Sequence, residues 1–203
     1  MKTGCVILAA GRSKRFDGNK LTAPLRGVPI LERTIRNLPL ECFDRMIAVV
    51  SREDTEQLCI RLGLNTVLYP GGPVSDSIRE GLKRMRDMDA CLFVNGDQPL
   101  IRPQSVRTIV ETGQEHPDAI IRLEWKGTPG SPVLFPERTF GDLAELTGDT
   151  GGRQVIRNGK YPVITVDAEA AEELFDIDTA KDLERMRGDA DTSDWNSGVV
   201  QNK

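Results

Sequence analysis

Residues 5–16, which read CVILAAGRSKRF, decide the fold class of this chain of 203 residues. The first six of them are apolar or small, which is typical of a strand that is buried on both faces of a sheet. Gly11 follows at once, and four cations come within the next nine residues. These cations are Arg12, Lys14, Arg15 and Lys20. Because open α/β sheets bind ligands at the carboxyl ends of their strands, the stretch predicts a cationic binding site at that edge.

The rest of the chain extends this pattern. Three more apolar runs follow in the first two thirds of the chain, at residues 46–50, 66–69 and 91–94. Between the runs, apolar residues recur at helical spacing in four segments, within 31–38, 58–62, 78–85 and 106–110. Strands that alternate with helices of these lengths imply right-handed crossovers. We therefore predict an α/β fold with a mostly parallel sheet.

The last third of the chain does not continue the regular alternation of strands and helices. The elements predicted there are a strand at 119–123, a turn rich in glycine and proline at 126–131, a strand at 132–135, short helices around 143–146 and 150–156, and a strand at 163–166. A closing helix begins near Thr179. We expect one domain over residues 1–188, followed by a disordered tail over 189–203 that is too polar to bury a core.

The charge and the cysteine content argue against several classes of function. The chain has 27 Lys and Arg against 31 Asp and Glu, a net charge of −4, whereas non-specific binding to nucleic acid or to an anionic membrane needs a basic face. The apolar run at 5–10 is far shorter than the ~20 residues that span a bilayer, so we expect a cytoplasmic protein. Four widely spaced cysteines and a single histidine, His116, give little support to a zinc site or a serine–histidine triad.

One candidate acid follows the strand-like run at 91–94. Asp97 lies in the turn GDQPL at 96–100, and it should share a sheet edge with Gly11. A carboxylate there could hold a hard divalent cation that bridges phosphate oxygens. The alternative is that Asp97 closes the turn or caps the next helix.

Two further acids stand at alternate positions after the last predicted strand. Asp176 and Asp178 should share one face, although Thr179 with Asp182 also reads as a helix-capping pair. The cationic turn, taken alone, is equally compatible with a solvated loop. Taken together, two acidic segments and a cationic glycine turn at one sheet edge favour metal-assisted phosphoryl or nucleotidyl transfer.

These motifs resemble those of the MobA-like nucleotidyltransferases, in particular the branch of molybdenum cofactor cytidylyltransferases. The motifs that carry the resemblance are LAAGRSKRF at 8–16 with Lys20, GDQPL at 96–100, GDTGGR at 148–153 and DIDT at 176–179. The resemblance covers residues 6–183, nearly the whole chain. It implies a three-layer, Rossmann-like nucleotidyltransferase fold, with CMP transferred from CTP to a molybdopterin-type cofactor and pyrophosphate released.

The resemblance also implies roles for particular residues. The implied catalytic residues are Lys20, Arg15 and Asp97. The implied nucleotide-binding residues are Leu8, Ala9, Ala10, Gly11, Arg15, Lys20, Gly72, Ser77 and Asp97. Asp97 would bind Mg²⁺, with Asp178, or in its place Asp176, as the second ligand. Guanylyl relatives typically have glycine where Ala10 stands, so the larger side chain is expected to narrow the base pocket toward a pyrimidine.

Other interpretations of the function remain open. The acceptor could be an isoprenoid or sugar phosphate, and Ser131, where the family often has histidine, leaves the acceptor-side loop atypical. A different class is a non-catalytic accessory protein that binds finished cofactor for insertion into a molybdenum hydroxylase. Lys20 and Asp97 argue against that class, because a protein that only binds the finished cofactor would not require a metal-binding site. In the enzymatic interpretation, such a hydroxylase is the partner that receives the product.

Overall fold

The computed structural model describes residues 1–11, 15–16 and 18–189. The strands are β1 (Thr3–Ala9), β2 (Pro24–Leu25), β3 (Val28–Pro29), β4 (Arg45–Val50), β5 (Asn65–Leu68), β6 (Ala90–Asn95), β7 (Ile120–Trp125), β8 (Thr128–Pro136) and β9 (Val163–Asp167). The α-helices are α1 (Ile30–Arg36), α2 (Glu53–Arg61), α3 (Val74–Leu82), α4 (Pro103–Glu115), α5 (Phe140–Ala144), α6 (Arg153–Arg157) and α7 (Ala180–Glu184). Short 3-10 helices lie at Lys20–Thr22, Leu40–Cys42, Glu137–Thr139 and Ala171–Leu174, and a π-helical turn at Arg185–Asp189.

Seven of the strands form one sheet in the order β5-β4-β1-β6-β8-β7-β9. The pairings β4–β5, β1–β4, β1–β6 and β7–β9 are parallel, whereas β8 runs antiparallel to β6 and to β7. The predicted mostly parallel sheet is therefore confirmed. β1 lies between β4 and β6. The chain therefore places β4 and β5 on one side of β1 and then crosses to form β6 on the other side. Such a switch in strand order opens a crevice at the carboxyl ends of the strands.

Helices cover both faces of the sheet, which makes the predicted three layers. Alternate residues of β1 enter different cores: Cys5, Ile7 and Ala9 pack with side chains of α1, α2 and α4, and Val6 packs with side chains of α3, α5 and α6. Alternation between two apolar faces is the reason that β1 reads as a continuous apolar run. A third, smaller core around Ile177 joins α7 to the region of β2 and β3.

The hairpin in the last third differs from its prediction. The turn expected over 126–131 is only Lys126 and Gly127, which have φ of 47° and 79°, and β8 begins at Thr128. Two successive residues with positive φ are typical of a tight type I′ hairpin turn. Pairing of β8 with the end of β7 thus overrides the glycine and proline content of residues 129–132.

Some of the sequence-based expectations concern residues outside the described part of the chain. They are the cations Arg12 and Lys14, the motif residue Ser13, and the tail from residue 190 onward. Within the described residues, no helix combines the length and the apolar character needed to cross a membrane.

Candidate active site

A cleft of about 670 Å³ opens at the carboxyl ends of β1 and β6. The residues that line it are Leu8, Ala10, Gly11, Arg15, Lys20, Gly72, Pro73, Val74, Ser77, Asn95, Asp97, Asp149 and Asp178. They include every described residue to which the resemblance assigned a catalytic or nucleotide-binding role except Ala9, and they include Asp178 but not Asp176 of the two candidates for the second metal ligand. The side chain of Ala9 lies in the core, because strand alternation places it on the face opposite to Leu8 and Ala10. A backbone role for Ala9 in nucleotide binding stays a prediction.

Lys20 is the centre of the charged groups in the cleft. Its Nζ donates to Asp97 Oδ2 at 2.5 Å and to Asp178 Oδ1 at 3.1 Å, and Asp178 Oδ2 accepts from Arg15 Nη2 at 2.7 Å. Lys20 begins a 3-10 helix whose preceding residue, Asn19, accepts a hydrogen bond from Leu21 N. That cap fixes the helix start and therefore the direction of the lysine.

Lys20 stays charged although it is buried, with only 9% of its surface exposed. Burial lowers the pKa of Lys20, but attraction to Asp97 and hydrogen bonds to both carboxylates outweigh it and raise the pKa overall. The cleft thus contains a fixed cation between two carboxylates at neutral pH.

Asp97 reaches the cleft through a close packing of β6 on β1. Gly96 N donates to Leu8 O at 3.0 Å, and a Cβ on Gly96 would lie 3.0 Å from Leu31 Cδ1 and 3.2 Å from that same carbonyl oxygen. Any larger residue would push these neighbours apart by a few tenths of an ångström, so glycine favours a turn that lies this close to β1. The alternative that Asp97 caps the next helix is wrong, because α4 begins at Pro103 and its N-cap residue is Arg102.

The acids at 176 and 178 join the same group. Ile177 N donates to Asp97 O at 3.0 Å, and the Ile177 side chain is fully buried in the third core. Asp176 and Asp178 therefore face the other way, as their alternate spacing predicted. The strand predicted at 163–166 is present as β9, but the acids do not follow it directly, because the 3-10 helix Ala171–Leu174 intervenes. The capping pair also forms, because Thr179 Oγ1 accepts from Asp182 N at 3.2 Å.

Asp176 and Asp178 have different surroundings. Asp176 Oδ1 accepts from Asn95 Nδ2 at 3.3 Å, whereas Asp178 pairs with Lys20 and Arg15. Burial, followed by the negative charge of Asp97, raises the pKa of Asp176 to about 7. Asp178 lines the cleft beside Lys20 and Asp97 and Asp176 does not, so Asp178 is the better placed of the two acids to hold a metal.

The residues fit a divalent cation that phosphates help to hold. Within the described chain, no three His, Cys, Asp or Glu side chains are arranged to hold a metal by themselves. Asp97 and Asp178 nevertheless converge on a single cation, the Lys20 ammonium. Carboxylate oxygens are the ligands that Mg²⁺ prefers, and Mg²⁺ is usually held by one or two of them together with substrate phosphates.

Four residues that line the cleft were not predicted, the apolar Pro73 and Val74 and the polar Asn95 and Asp149. Asn95 is the polar end of an otherwise apolar strand, and that position alone could have indicated it. Asp149 lies in the motif at 148–153, which was noticed without a role for this acid.

The fold and the cleft define a class of protein, the nucleotidyltransferases. A family model described as a MobA-like NTP transferase domain matches residues 5–164, and the chain belongs to this family. The protein is therefore an enzyme that transfers nucleotides, as predicted.

Curated relatives bear different names. A probable molybdenum cofactor guanylyltransferase of Thermococcus sibiricus is 28% identical over 90% of this chain and 96% of its own length. The purine catabolism protein PucB of Bacillus subtilis is 24% identical over 90% and 94%. A 2-C-methyl-D-erythritol 4-phosphate cytidylyltransferase of Bacillus velezensis is 30% identical over 61% and 57%.

Solved structures support the fold. A homologue of Mycobacterium tuberculosis Rv0371c from Mycobacterium sp. strain JC1 has a TM-score of 0.78 at 29% identity, over 92% of this chain and 96% of that one. Rv0371c of Mycobacterium tuberculosis H37Rv, in complex with manganese, has a TM-score of 0.74 at 26% identity, over 94% and 100%.

Proposed function

We propose that the protein is a cytidylyltransferase that transfers CMP from CTP to the terminal phosphate of a molybdopterin-type acceptor. An acceptor phosphate oxygen forms the new bond to the α-phosphorus of CTP, the bond from that phosphorus to the β-phosphate oxygen breaks, and pyrophosphate leaves. The observation that carries the proposal is the buried contact of Lys20 with Asp97 and Asp178 beside a glycine turn at a sheet edge. Residues 1–188 form the catalytic domain in this proposal.

The cations of the cleft bind and orient the triphosphate. Arg15 is exposed and can turn toward phosphate, whereas Lys20 is held in place by its two carboxylates. Negative charge grows on the leaving pyrophosphate in the transition state, where a positioned cation stabilises most. Asp97 and Asp178 would hold Mg²⁺, which neutralises charge on the phosphates when it is bound. The manganese complex of the mycobacterial relative supports a divalent cation in this role.

Backbone and small side chains bind the base and ribose. Leu8 lines the cleft from β1, Ala10 and Gly11 from the segment just after it, Gly72 from the loop before α3, and Ser77 from the first turn of α3. The Ala10 methyl group reduces the space for a base, which favours cytosine over guanine. The guanylyltransferase name of one relative and the cytidylyltransferase name of another make nucleotide choice the first point to test.

The test measures pyrophosphate release with CTP and with GTP at matched concentrations, each with Mg²⁺ and molybdopterin cofactor. We expect faster turnover with CTP. Equal or faster turnover with GTP contradicts the proposed nucleotide.

A second acceptor class is supported by the relative that acts, by its name, on an erythritol phosphate. The same assay with 2-C-methyl-D-erythritol 4-phosphate in place of the pterin separates the two acceptors. With a pterin acceptor, the product passes to a molybdenum hydroxylase that uses the dinucleotide form of the cofactor.

A further inference from the structure

The wall of the cleft formed by residues 72–77 differs in charge from the rest of the cleft lining. Gly72, Pro73, Val74 and Ser77 face the cleft there, and none of them carries a charge. The opposing charges of Lys20, Asp97 and Asp178 come from other segments. An uncharged surface of this kind suits the flat face and the edge of a nucleobase.

A hydrogen-bonded network lies directly behind this wall. Tyr69 Oη donates to Asp76 Oδ2 at 2.7 Å, and Arg79 Nη1 donates to Asp76 Oδ1 at 3.0 Å. Tyr69 follows β5, whereas Asp76 and Arg79 lie on α3, so the network closes the loop between these elements. The hydrogen bond to Asp76 raises the pKa of Tyr69, and it lowers the pKa of Asp76 against the opposing effect of burial. The phenol therefore stays protonated and the carboxylate stays charged.

The network is in contact with Gly72 of the wall. A Cβ on Gly72 would lie 2.5 Å from Tyr69 Oη and 3.2 Å from Asp76 Oδ2, so this glycine packs onto the hydrogen bond itself. The neighbouring Gly71 has φ of +82°, and it approaches Ala10 O at the end of β1. The position of the phenol oxygen thus limits how far the glycine loop can move away from the cleft.

The same network reaches a second segment of the cleft. Arg79 Nη2 donates to Leu146 O at 2.9 Å and its Nε donates to Ala144 O at 3.2 Å. Ser75 N donates to Gly148 O at 3.4 Å, one residue before Asp149, which lines the cleft. One arginine fork therefore ties the start of α3 to the segment that carries Asp149.

From these contacts we infer that Tyr69, Asp76 and Arg79 are positioning residues that set the width of the base-binding part of the cleft, and hence the selectivity for the nucleotide. They touch no substrate themselves; they hold Gly72 and residues 146–149 at a fixed separation. This inference rests on the proposed function, because it assigns the uncharged wall to the base of CTP.

The direct test is Tyr69→Phe, which removes one oxygen atom. Because that oxygen bonds a charged carboxylate, we expect KM for CTP to rise about three- to tenfold with kcat changed less than twofold. We also expect the ratio of kcat/KM for CTP over GTP to fall. A role in stability alone would lower the melting temperature and leave KM and this ratio unchanged, and that result overturns the inference.

The chain offers a matched control in its other tyrosine. Tyr161 Oη also hydrogen-bonds an aspartate, Asp142 Oδ2 at 3.1 Å, beside a lysine, and it does not line the cleft. Tyr161→Phe should leave KM and the CTP to GTP ratio at their wild-type values. A change in the ratio equal to that of Tyr69→Phe overturns the inference.

A double-mutant cycle tests the contact with Gly72. Gly72→Ala should raise KM for CTP, because the new methyl group meets Tyr69 Oη. In the Tyr69→Phe background that oxygen is absent, so the additional rise caused by Gly72→Ala should be smaller. Additive effects of the two substitutions contradict the proposed contact.

Amide hydrogen exchange without nucleotide separates this inference from the proposed function. Tyr69→Phe should speed exchange at residues 71–76 and 146–151, whereas Tyr161→Phe should not. If the wild-type protein turned over neither CTP nor GTP, the proposed function would fail, and faster exchange in these two segments would still support the positioning role. Unchanged exchange overturns it.

Discussion

The two edges of the central sheet carry cavities of similar size and different chemistry. The cleft at the carboxyl edge measures about 670 Å³, and a second cavity of about 650 Å³ lies at the amino edge, beside the starts of β4 and β5. In the cleft, Lys20 and Asp97 pair with side chains that are 11% and 16% exposed. At the other edge, Arg45 pairs with Asp87, and these side chains are 38% and 58% exposed. Volume alone does not distinguish the candidate active site from the second cavity, whereas the buried charged side chains that converge in the cleft do.

The reason for this difference lies in the strand ends. At the carboxyl edge, Gly11 and Asp97 come two residues after the ends of β1 and β6, and the hydrogen bond from Gly96 N to Leu8 O holds the turn after β6 close to β1. At the amino edge, Leu38, Leu40 and Leu62 contribute apolar side chains to the cavity wall. Charges there stay in water, where pairing stabilises little.

The largest expected effect is that of Asp97→Asn. Asparagine keeps the size of the side chain and loses the charge that holds a hard cation, so transfer should be abolished. The measurement is pyrophosphate release, combined with Mn²⁺ titration and a thermal melt of the same protein. Wild-type activity or wild-type Mn²⁺ affinity in the folded variant would refute the metal role.

Lys20→Ala should have the next largest effect. Loss of a positioned charge of this kind typically lowers the rate by ~10²–10³, and kcat should fall more than the affinity for CTP. The matched control is Lys83→Ala, which removes a lysine from an exposed pair with Glu80 on the same molecule. Weaker CTP binding with an unchanged kcat would limit Lys20 to ground-state binding.

The residues of these two predictions show how much of the site can be predicted from the sequence. Asp97 and Lys20 come after buried apolar strands. In an α/β sequence, the segments that follow such strands lie at the carboxyl edge of the sheet, so this placement can be predicted from local sequence alone. The contact of Lys20 with Asp178 is not local, since the two residues are 158 positions apart in the chain. The alternate spacing of Asp176 and Asp178 predicted a shared face, but only packing of Ile177 shows which face it is.

The parts that were missed depend on tertiary packing. In the network of Tyr69, Asp76 and Arg79, only the pair Asp76–Arg79 has a local signal, an i,i+3 spacing; the bond to Tyr69 depends on the fold placing the end of β5 beside α3. The long turn expected at 126–131 failed for a related reason, since cross-strand pairing with β7 recruits residues whose composition alone favours a loop. Local composition predicts the position of a turn better than it predicts the residue at which strand pairing begins again after the turn.

Ala10→Gly should have a smaller effect on the nucleotide preference. Removing the methyl group widens the base-binding part of the cleft, so the ratio of kcat/KM for CTP over GTP should fall, within the ~10–200-fold range that one small group can discriminate. The control is Ala48→Gly, at a fully buried position of β4 outside the cleft. It should lower the melting temperature and leave the ratio unchanged. An unchanged ratio in Ala10→Gly would remove Ala10 from the determinants of base selection.

The smallest effect is expected at the amino edge, from Asp87→Asn. Arg45 bonds both oxygens of Asp87 and also donates to Arg84 O, so the geometry of this pair is as well formed as that of the buried pair in the cleft. The side chains are nevertheless largely in water, where such a pair contributes little. Activity should stay at the wild-type value, and the melting temperature at neutral pH should fall only slightly.

The pH dependence of that small change has a definite sign. The hydrogen bond from Arg45 lowers the pKa of Asp87 below its ordinary value, so the pair stabilises the folded state above the pKa of the unfolded chain. This contribution is lost as the pH falls through the lowered pKa of the folded state. The difference in melting temperature between the wild type and Asp87→Asn should therefore shrink below about pH 4. A loss of activity at neutral pH in this variant would mean that the two edges are coupled, and that the charges of the amino edge also serve the reaction.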